Sequence, residues 1–530
     1  MSGTGAEVPV LIVGGGPVGL TARALLARWG VPTLLVEKHA ELSPFPRSRL
    51  VNVRSMEIFR GLGLADRITA AAFAPEYGRA RFRDTLYDRD FAAAAMVGVD
   101  APVPESPVIG VLTSQDRLEP ALLAAADAPL RFGVELIGLA EEPDAVVAEL
   151  LDRRSGAHAR VRARYVIAAD GAHSTVRELL AVGTAGPGAM GDFTTVVFDA
   201  DLGRWSARQP AGVYFTAHGS FGPVHPEGGW LWFGPTPREG ARTDWAGLVS
   251  RALGPGADVR ADVRRVQHWV MHAFVAERFR HGRILLAGDA AHAIPPIGGL
   301  GMNTGVADAH NLCWKLAGAV RGWAGPGLLD TYAAEREPVA HRTLRQAVDN
   351  ARLMVQVQER RREQLRGGAS ARDTIELPWS QRYFAQLGLV LGAVYRSTAV
   401  LDGDGDSDGD GDCPQADGEA TGPDYVPTTR PGHRMPHLWL ADGRSTLDAC
   451  GEWFTLFTPD PAPWQRQAAA RWPVRVEALP PEHADGCAPG PQGALLVRPD
   501  GHIGARLREP SRNGSLLRHT VTTITGAAPS

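Results

Sequence analysis

Val8-Pro9-Val10-Leu11-Ile12-Val13-Gly14-Gly15-Gly16-Pro17-Val18-Gly19-Leu20 decides the fold of this chain. An apolar run, Val8 to Val13, leads into glycines spaced as G-x-G-x-x-G and then into a helix-like stretch, Leu20 to Trp29. In that spacing Gly14 permits a tight turn, Gly16 lets backbone approach a phosphate, and Gly19 lets helix and strand pack closely. Pro17 and Val18 belong to the same cofactor-binding turn, and the N-terminus of the helix after it offers free N–H groups and a positive dipole end to a pyrophosphate. A second apolar strand, Thr33 to Val36, ends at Glu37, about twenty residues past the fingerprint, where an acid binds a ribose hydroxyl. Lys38 sits beside it. Strand, glycines, helix, strand and acid in this order predict a Rossmann-like dinucleotide-binding unit.

Nearly three hundred residues downstream a second segment completes that expectation. Arg283-Ile284-Leu285-Leu286-Ala287-Gly288-Asp289-Ala290-Ala291-His292 reads as a buried strand ending at Gly288 and Asp289. A carboxylate there can accept hydrogen bonds from a ribityl chain. Pro295-Pro296-Ile297-Gly298-Gly299-Leu300-Gly301-Met302-Asn303-Thr304-Gly305 follows and feeds a helix carrying Asp308, Asn311, Trp314 and Lys315. A glycine-rich loop at a helix start presents bare N–H groups and a positive end. Those groups suit the pyrimidine edge of a flavin, which becomes negative on reduction. The two segments together point to FAD rather than NAD alone.

Composition narrows the class. A chain of 530 residues is too long for one core and implies two or three domains. Hydrophobic residues at 44% and charged residues at 22% are ordinary for a globular protein. A net charge of −4 favours neither nucleic acid nor an anionic membrane. No stretch reaches eighteen uncharged apolar residues, and the N-terminus lacks a basic region followed by an apolar core. The four cysteines, Cys313, Cys413, Cys450 and Cys487, form no C-x-x-C pair, so neither a zinc site nor a dithiol centre is expected. A soluble cytoplasmic enzyme without a metal, monomeric or homodimeric, is the expectation.

Along the chain, residues 1–184 read as alternating strands and helices, with helices expected over Val51 to Leu64 and from Gln115. Tyr165 to Asp170 is a buried strand ending in Asp170-Gly171. Residues 185–278 change character. Val196 to Ala200, Gly212 to Thr216 and Trp230 to Phe233 are short aromatic and β-branched runs between glycines, which favours a mostly antiparallel sheet inserted into the nucleotide unit. Residues 279–400 return to strand, loop and helix, with a long exposed helix over 340–366. Residues 401–429 hold Asp402 to Asp412, alternating Asp with Gly or Ser, an acidic linker. It is a poor calcium loop, because the twelfth place is Asp417 and Pro414 intervenes. Residues 430–530 read as a small α/β unit.

At this point the chain resembles the group A flavoprotein monooxygenases of the para-hydroxybenzoate hydroxylase fold. The matching motifs are Gly14 to Gly19, Asp170-Gly171-Ala172-His173-Ser174-Thr175-Val176-Arg177, Gly288 to His292, and the arginine segment Pro46-Arg47-Ser48-Arg49 with Asn52 to Glu57. The tail resembles the thioredoxin-like C-terminal domain of the larger aromatic polyketide hydroxylases. The resemblance implies reduction of FAD by NADPH or NADH, a flavin hydroperoxide formed with O2, and delivery of one oxygen to an electron-rich, polycyclic aromatic ring. It implies that Glu37 holds the adenosine ribose, and that Arg47 and Gln115, with Arg117 as a weaker candidate, lie beside the pyrophosphate or ribityl chain. It further implies that Asp289 meets that junction, and that Gly299, Leu300, Gly301, Met302 and Asn303 meet the isoalloxazine. Asp170 orders the Asp-Gly turn or caps the helix after it. Pro296 would lie near the oxygen-reacting centre, where a dry pocket protects the oxidant.

No protein acid or base stands out. Tyr214, His218, His225, Trp230 and Trp232 are candidates to line a flat aromatic pocket, with sheet packing as the alternative for each. Tyr214, His225 and Pro296 are the weak catalytic candidates. His292 reads as local bonding more than as acid–base chemistry. Rivals on the same fold are oxygen insertion beside a ketone (Baeyer–Villiger chemistry), decarboxylative oxygenation, and flavin-dependent halogenation. The last needs a relay lysine, and neither Lys38 nor Lys315 is well placed. A flavin-binding protein without catalysis is a further alternative, which the intact Gly298 to Asn303 loop disfavours.

Overall fold

The computed structural model describes residues 6–238, 243–255, 259–368, 370, 373–375, 387–401, 424–468, 474–483, 489–511 and 514–527. The chain runs β1 (Ala6–Val13), α1 (Pro17–Arg28), β2 (Thr33–Glu37), β3 (Leu50–Val51), α2 (Val53–Gly61), α3 (Ala65–Ala70), β4 (Arg79–Phe82), β5 (Ala92–Ala95), β6 (Val111–Leu112) and α4 (Gln115–Leu123). It continues through β7 (Leu130–Phe132), β8 (Val134–Glu141), β9 (Val146–Asp152), β10 (His158–Ala168), α5 (Thr175–Leu179), β11 (Thr184–Asp199), α6 (Gly203–Ser206), β12 (Val213–Thr216), β13 (Gly219–His225), β14 (Gly228–Pro235), α7 (Trp245–Leu253) and β15 (Asp262–Ala276). Then come β16 (Arg280–His281), β17 (Ile284–Leu286), β18 (His292–Ala293), α8 (Gly301–Arg321) and α9 (Asp330–Arg366). Strands β19 (Phe454–Thr458), β20 (Val474–Ala478), β21 (Ala494–Val497) and β22 (Ile503–Leu507) precede a last helix, Ser515–Thr525.

The first sheet is ordered β16-β17-β10-β1-β2-β7, with β9 and β8 continuing from the other half of β10. Strands β17, β10, β1, β2 and β7 are mutually parallel. Val10, Leu11 and Ile12 are wholly buried, as a parallel strand covered on both faces requires. Strands from residues 6–37 and 280–286 are thereby brought into one sheet, and both glycine-rich turns leave from its carboxyl edge, where open α/β sheets take ligands.

The second sheet is ordered β18-β15-β11-β14-β13-β12-β4-β5 and is antiparallel except for β12 with β4. It reaches outside the segment expected to hold it. Strands β4 and β5, from residues 79–95, supply one edge, and β18 the other. Their sequence gives little warning: β5 is four alanines, without the aromatic runs that mark β12 and β14. The long helix α9 starts at Asp330, ten residues earlier than expected, and is not simply exposed. Val339, Leu344, Met354 and Val357 are buried along one side.

In the C-terminal unit the sheet is ordered β20-β19-β21-β22. It packs on the first unit through Trp453 against Trp29 (5.4 Å between ring centres) and Trp323 (5.6 Å), and Phe454 against Trp314 (6.0 Å). Buried ions join the same units. Glu335 of α9 accepts Arg498 Nη1 at 2.6 Å, Arg498 Nη2 at 2.8 Å and Lys315 Nζ at 2.7 Å, and Arg498 also bonds Asp500 at 2.5 Å. Cys313 and Cys450 are free thiols, and among the described residues no helix is long and apolar enough to cross a membrane. Asp402 to Asp412, Cys413 and Cys487 lie outside the described residues.

Candidate active site

β1 ends at Val13 and the chain turns at Gly14, where φ is +106°. A Cβ on Gly14 would lie 2.2 Å from the Ala169 carbonyl oxygen, so this turn closes on β10 only without a side chain. A Cβ on Gly19 would lie 2.0 Å from the Gly14 carbonyl oxygen. On Gly16 it would meet nothing within 4 Å. Two of the glycines therefore serve internal packing, and the third faces open space at the start of α1. Neither α1 nor α8 has a side-chain N-cap, a feature shared with α3, α4, α6 and α9, but α1 and α8 start at the carboxyl edge of the first sheet. The bare N–H groups and positive ends of α1 and α8 can take an anionic ligand. Glu37 closes β2 with one oxygen on Gly15 N–H (2.7 Å) and the other on His39 N–H (2.8 Å), with Lys38 half-buried beside it.

The second segment arrives at the same edge. Gly288 (φ +60°) packs on Val18 of α1, and its N–H donates to Asp308 Oδ2 at 3.1 Å. Asp289 opens on the cleft but is ringed by protein. Burial raises its pKa, against the pull of His292 and Arg47. A Cβ on Gly301, the first residue of α8, would come within 4.0 Å of Asp289 Oδ1, so the carboxylate and the bare helix start face one another. Room at Gly16, an acid at the end of each strand and two uncapped helix starts fit an FAD.

Behind this surface the polar groups are tightly engaged. Asp308 also accepts His292 Nε2 (2.6 Å) and Arg336 Nε (2.7 Å). Burial alone would raise the Asp308 pKa, but His292 and Arg336 outweigh it and bring it down to about 2. His292 is thus fully buried and bound locally. Asp170 accepts Ser174 Oγ (2.6 Å) and Val176 N–H (3.0 Å), which is a capping geometry on α5. Arg177 ties that motif to the Gly-Asp motif, donating to Ala172 O (2.8 Å) and Ala290 O (3.0 Å). Of the loop, Gly299 (φ +65°) presses on Leu50. Asn303 donates to Leu50 O (2.9 Å) and Gly299 O (2.7 Å) and accepts Asn52 N–H (3.0 Å). Asn303 therefore holds the loop against β3 instead of facing the cleft. Met302 packs on the core, Leu300 is buried, and Pro296 is exposed, its carbonyl accepting Gly299 N–H at 3.0 Å.

The arginine segment and α4 line the opposite lip. Arg47 is exposed near Asp289. Gln115 Nε2 donates to Glu119 Oε1 at 2.7 Å. Glu119, which sequence reasoning missed, is 2% exposed, and burial pushes its pKa up to about 7 despite the Gln115 bond and Arg47. Arg117 pairs with Glu227, and Asp116 with His225 Nε2 (3.1 Å), so this turn of α4 grips the β13–β14 hairpin. His225 and Arg117 are thus partners of a clamp between the two sheets.

Four of the expected pocket residues do not line this cleft. Register places Tyr214, Phe221, Trp232 and Val196 on one face of the second sheet, and Pro223, Trp230 and Phe198 on that same face. That face is sealed by α7 through Val249 and Leu253. Tyr214 is wholly buried, its hydroxyl on Gln209 O (2.8 Å), and burial pushes its pKa up to about 12. Trp232 Nε1 donates to His218 O at 2.9 Å, and His218 itself is exposed in a turn. The reason is the two-residue period of a strand, which sends neighbours to opposite faces. The face turned to the flavin loop carries Phe215 and Phe233, packed with Leu50 and Ile297. In register with Phe233 it also carries Thr195 and Gln267, then Phe193 stacked on Trp269 at 5.1 Å. These last four are only half-buried. Arg49 reaches this face too. Its Nη1 donates to Pro223 O at 2.7 Å, and burial brings its pKa down to about 10. Lys315 is fully buried, its ammonium held by Glu335 and Asn311.

Fold and site together define a flavin-dependent oxygenase, and comparison with known proteins agrees. Residues 7–347 match the FAD binding domain family, and residues 428–528 match the aromatic-ring hydroxylase C-terminal family. The chain is 36% identical over 504 residues to aklavinone 12-hydroxylase DnrF of Streptomyces peucetius, spanning 90% of this chain and 96% of that one. It is similar to the crystal structure of the flavin-dependent monooxygenase PieE with FAD and substrate (TM-score 0.85, 33% identity, 98% of this chain and 99% of that one). It is also similar to the ternary complex of aklavinone-11 hydroxylase with FAD and aklavinone (TM-score 0.81, 32% identity, 98% and 99%). The chain belongs to the FAD-dependent aromatic-ring hydroxylases, which use reduced nicotinamide dinucleotide and O2.

Proposed function

We propose that this enzyme hydroxylates one ring of a planar polycyclic aromatic of the polyketide type. The observation that carries the reading is the half-open sheet face of Phe193, Trp269, Thr195, Gln267 and Phe233 opposite the Ile297–Gly299 loop. Flat apolar walls with a few polar groups suit a flat, oxygenated ligand. The aklavinone bound to a relative of the same fold supports it.

FAD supplies the chemistry, carrying electrons from reduced nicotinamide to O2 so that one oxygen atom reaches the ring. The chain's own residues do the placing. Gly16 and the start of α1 would hold the pyrophosphate, and Glu37 the adenosine ribose. Asp289 and Arg47 would hold the ribityl junction. The first N–H groups of α8 would hold the pyrimidine edge, and Asn303 and Leu50 fix the loop that carries them. Phe215, Phe233 and Leu50 exclude water from the reacting edge. The test is incubation of FAD-loaded enzyme with NADPH and a panel of polycyclic phenols, read by mass spectrometry. A gain of one oxygen with matched NADPH use is expected. NADPH oxidation that yields only peroxide on every phenol, or loss of carbon dioxide, refutes simple hydroxylation.

A further inference from the structure

Resting on that reading, we infer that Arg49 is a substrate anchor: its guanidinium receives an ionised oxygen carried by the ring system, a phenolate in first place. Arg49 precedes β3, which lies under the flavin loop, and its side chain crosses to the second sheet. The crossing is close. A Cβ on Gly222 would come within 2.5 Å of Arg49 Nη1 and 2.6 Å of Nη2, so β13 keeps this place free of a side chain. Gly222 is in register with Leu231, on the face that carries Phe233 two residues further along the strand. The guanidinium therefore stands on the cleft face, between the loop and the aromatic wall.

Its partners are few. One N–H goes to Pro223 O, and among the described residues Arg49 forms no ion pair. Buried Arg336, Arg434 and Arg498 are ion-paired, to Asp308, to Glu57, and to Glu335 and Asp500, while Arg177 divides its guanidinium between two carbonyls, Ala172 O and Ala290 O; Arg49 has one carbonyl alone. Arg49 is half-buried, and a cation partly withdrawn from water without a counter-charge is stabilised by gaining one. Here the missing charge is one a ligand can bring, and the fork of free N–H groups suits an oxygen anion.

The chemistry gains from it. Oxygen transfer to an aromatic ring is faster on a phenolate than on a phenol, because the ionised oxygen donates more strongly to the ortho and para carbons. A cation beside a phenol oxygen lowers its pKa. The phenol proton leaves to water through the open side of the cleft, and Arg49 keeps its own proton throughout.

The test uses FAD-loaded wild type, Arg49→Met and Arg49→Lys, with alizarin as probe because its colour reports ionisation. Anthraquinone carboxylate and unsubstituted anthraquinone serve as further arms. Wild type is expected to lower the pH at which bound alizarin ionises by about one to three units relative to Arg49→Met. Arg49→Met should bind alizarin roughly tenfold to a hundredfold more weakly, the loss of a charged hydrogen bond, and anthraquinone equally well. Arg49→Lys should retain part of the ionisation. Tighter binding of the carboxylate than of alizarin, lost alike in Arg49→Met, assigns the anion to a carboxyl group instead. The ligand-free melting temperature of Arg49→Met should match or exceed wild type, since a half-buried cation without a counter-charge is removed. Equal alizarin affinity and ionisation in wild type and Arg49→Met overturns the anchor, as does absence of binding to wild type. A loss confined to FAD affinity overturns it too. Oxygen transfer by both proteins with the same KM overturns the anchor yet leaves the hydroxylase reading standing. No oxygen transfer to any phenol by wild type sinks that reading itself.

Discussion

Alanine at Gly16 and alanine at Gly19 should fail in opposite ways. At Gly16 the added methyl meets no atom within 4 Å and φ is −77°, open to any residue. The chain should tolerate it at a cost of about 1 kcal/mol or less, the difference between glycine and alanine at an N-cap. The methyl then occupies the space through which a phosphate approaches the first N–H groups of α1. Losing one charge-assisted hydrogen bond costs about 1.5–3 kcal/mol, so FAD affinity should fall roughly tenfold to a hundredfold. At Gly19 the methyl would sit 2.0 Å from the Gly14 carbonyl oxygen, a backbone atom that cannot swing aside. Overpacking of this kind costs about 1–3 kcal/mol or more, and better helix propensity returns about 1 kcal/mol at most. The assay is thermal melting of the cofactor-free protein beside flavin-fluorescence titration. Gly16→Ala should melt near wild type and bind FAD weakly, and Gly19→Ala should melt several degrees lower. A Gly16→Ala protein that binds FAD within about twofold of wild type (under 0.5 kcal/mol) refutes the division of roles, as does a Gly19→Ala protein with wild-type stability.

Four further outcomes follow from the site. Asp308→Asn strips the partner charge from buried Arg336, and breaking such a pair should cost about 3–5 kcal/mol, read as a large fall in melting temperature with weakened FAD binding; a change near zero would contradict it. Glu119 has its folded pKa raised to about 7 against an ordinary 4.5, so the folded state holds its proton more firmly than the unfolded chain. Stability should therefore fall as pH rises from about 4.5 to 7 and level off above, by on the order of 2–3 kcal/mol from this group. Glu119→Gln should remove that slope, gaining stability at pH 8 but not at pH 4; equal melting shifts at both would refute it. Phe233→Ala should change KM or the position oxidised, and Trp232→Phe should cost about 1 kcal/mol of stability through its lost bond to His218 O while leaving the product pattern intact.

Much of the fold was legible because its rules are local. A turn that needs glycine, a helix that must start without a side-chain cap and a strand that ends in an acid each fit within ten residues, and so Gly14 to Gly19 and Gly288-Asp289 announced the nucleotide unit. The pocket wall was not legible for a physical reason. One face of the second sheet is sealed by α7 and the other carries aromatic residues into the cleft, so alternation does not separate core from pocket wall. Trp230 and Trp232 look like ligand platforms and are core, whereas Phe233, between neighbours of similar character, faces the cleft. Arg49 was read only as part of a motif, because its partner Pro223 is 174 residues away and is a carbonyl, which leaves no trace in sequence. The Asp116–His225 and Arg117–Glu227 pairs were hidden likewise. The edge strands β4 and β5 were missed because alanine carries no strand signal.

The ion cluster of Lys315, Glu335, Arg498 and Asp500 has a bearing on protein engineering. Shuffling tails among related hydroxylases, or trimming this one to a lean catalytic piece, would cut through a shared salt lattice. Arg498 and Asp500 would go, leaving Glu335 and Lys315 facing each other in an apolar trough on the two helices that frame the flavin loop. The final hundred residues thus behave as a keystone, and a successful graft has to carry matching charges on both sides of the seam.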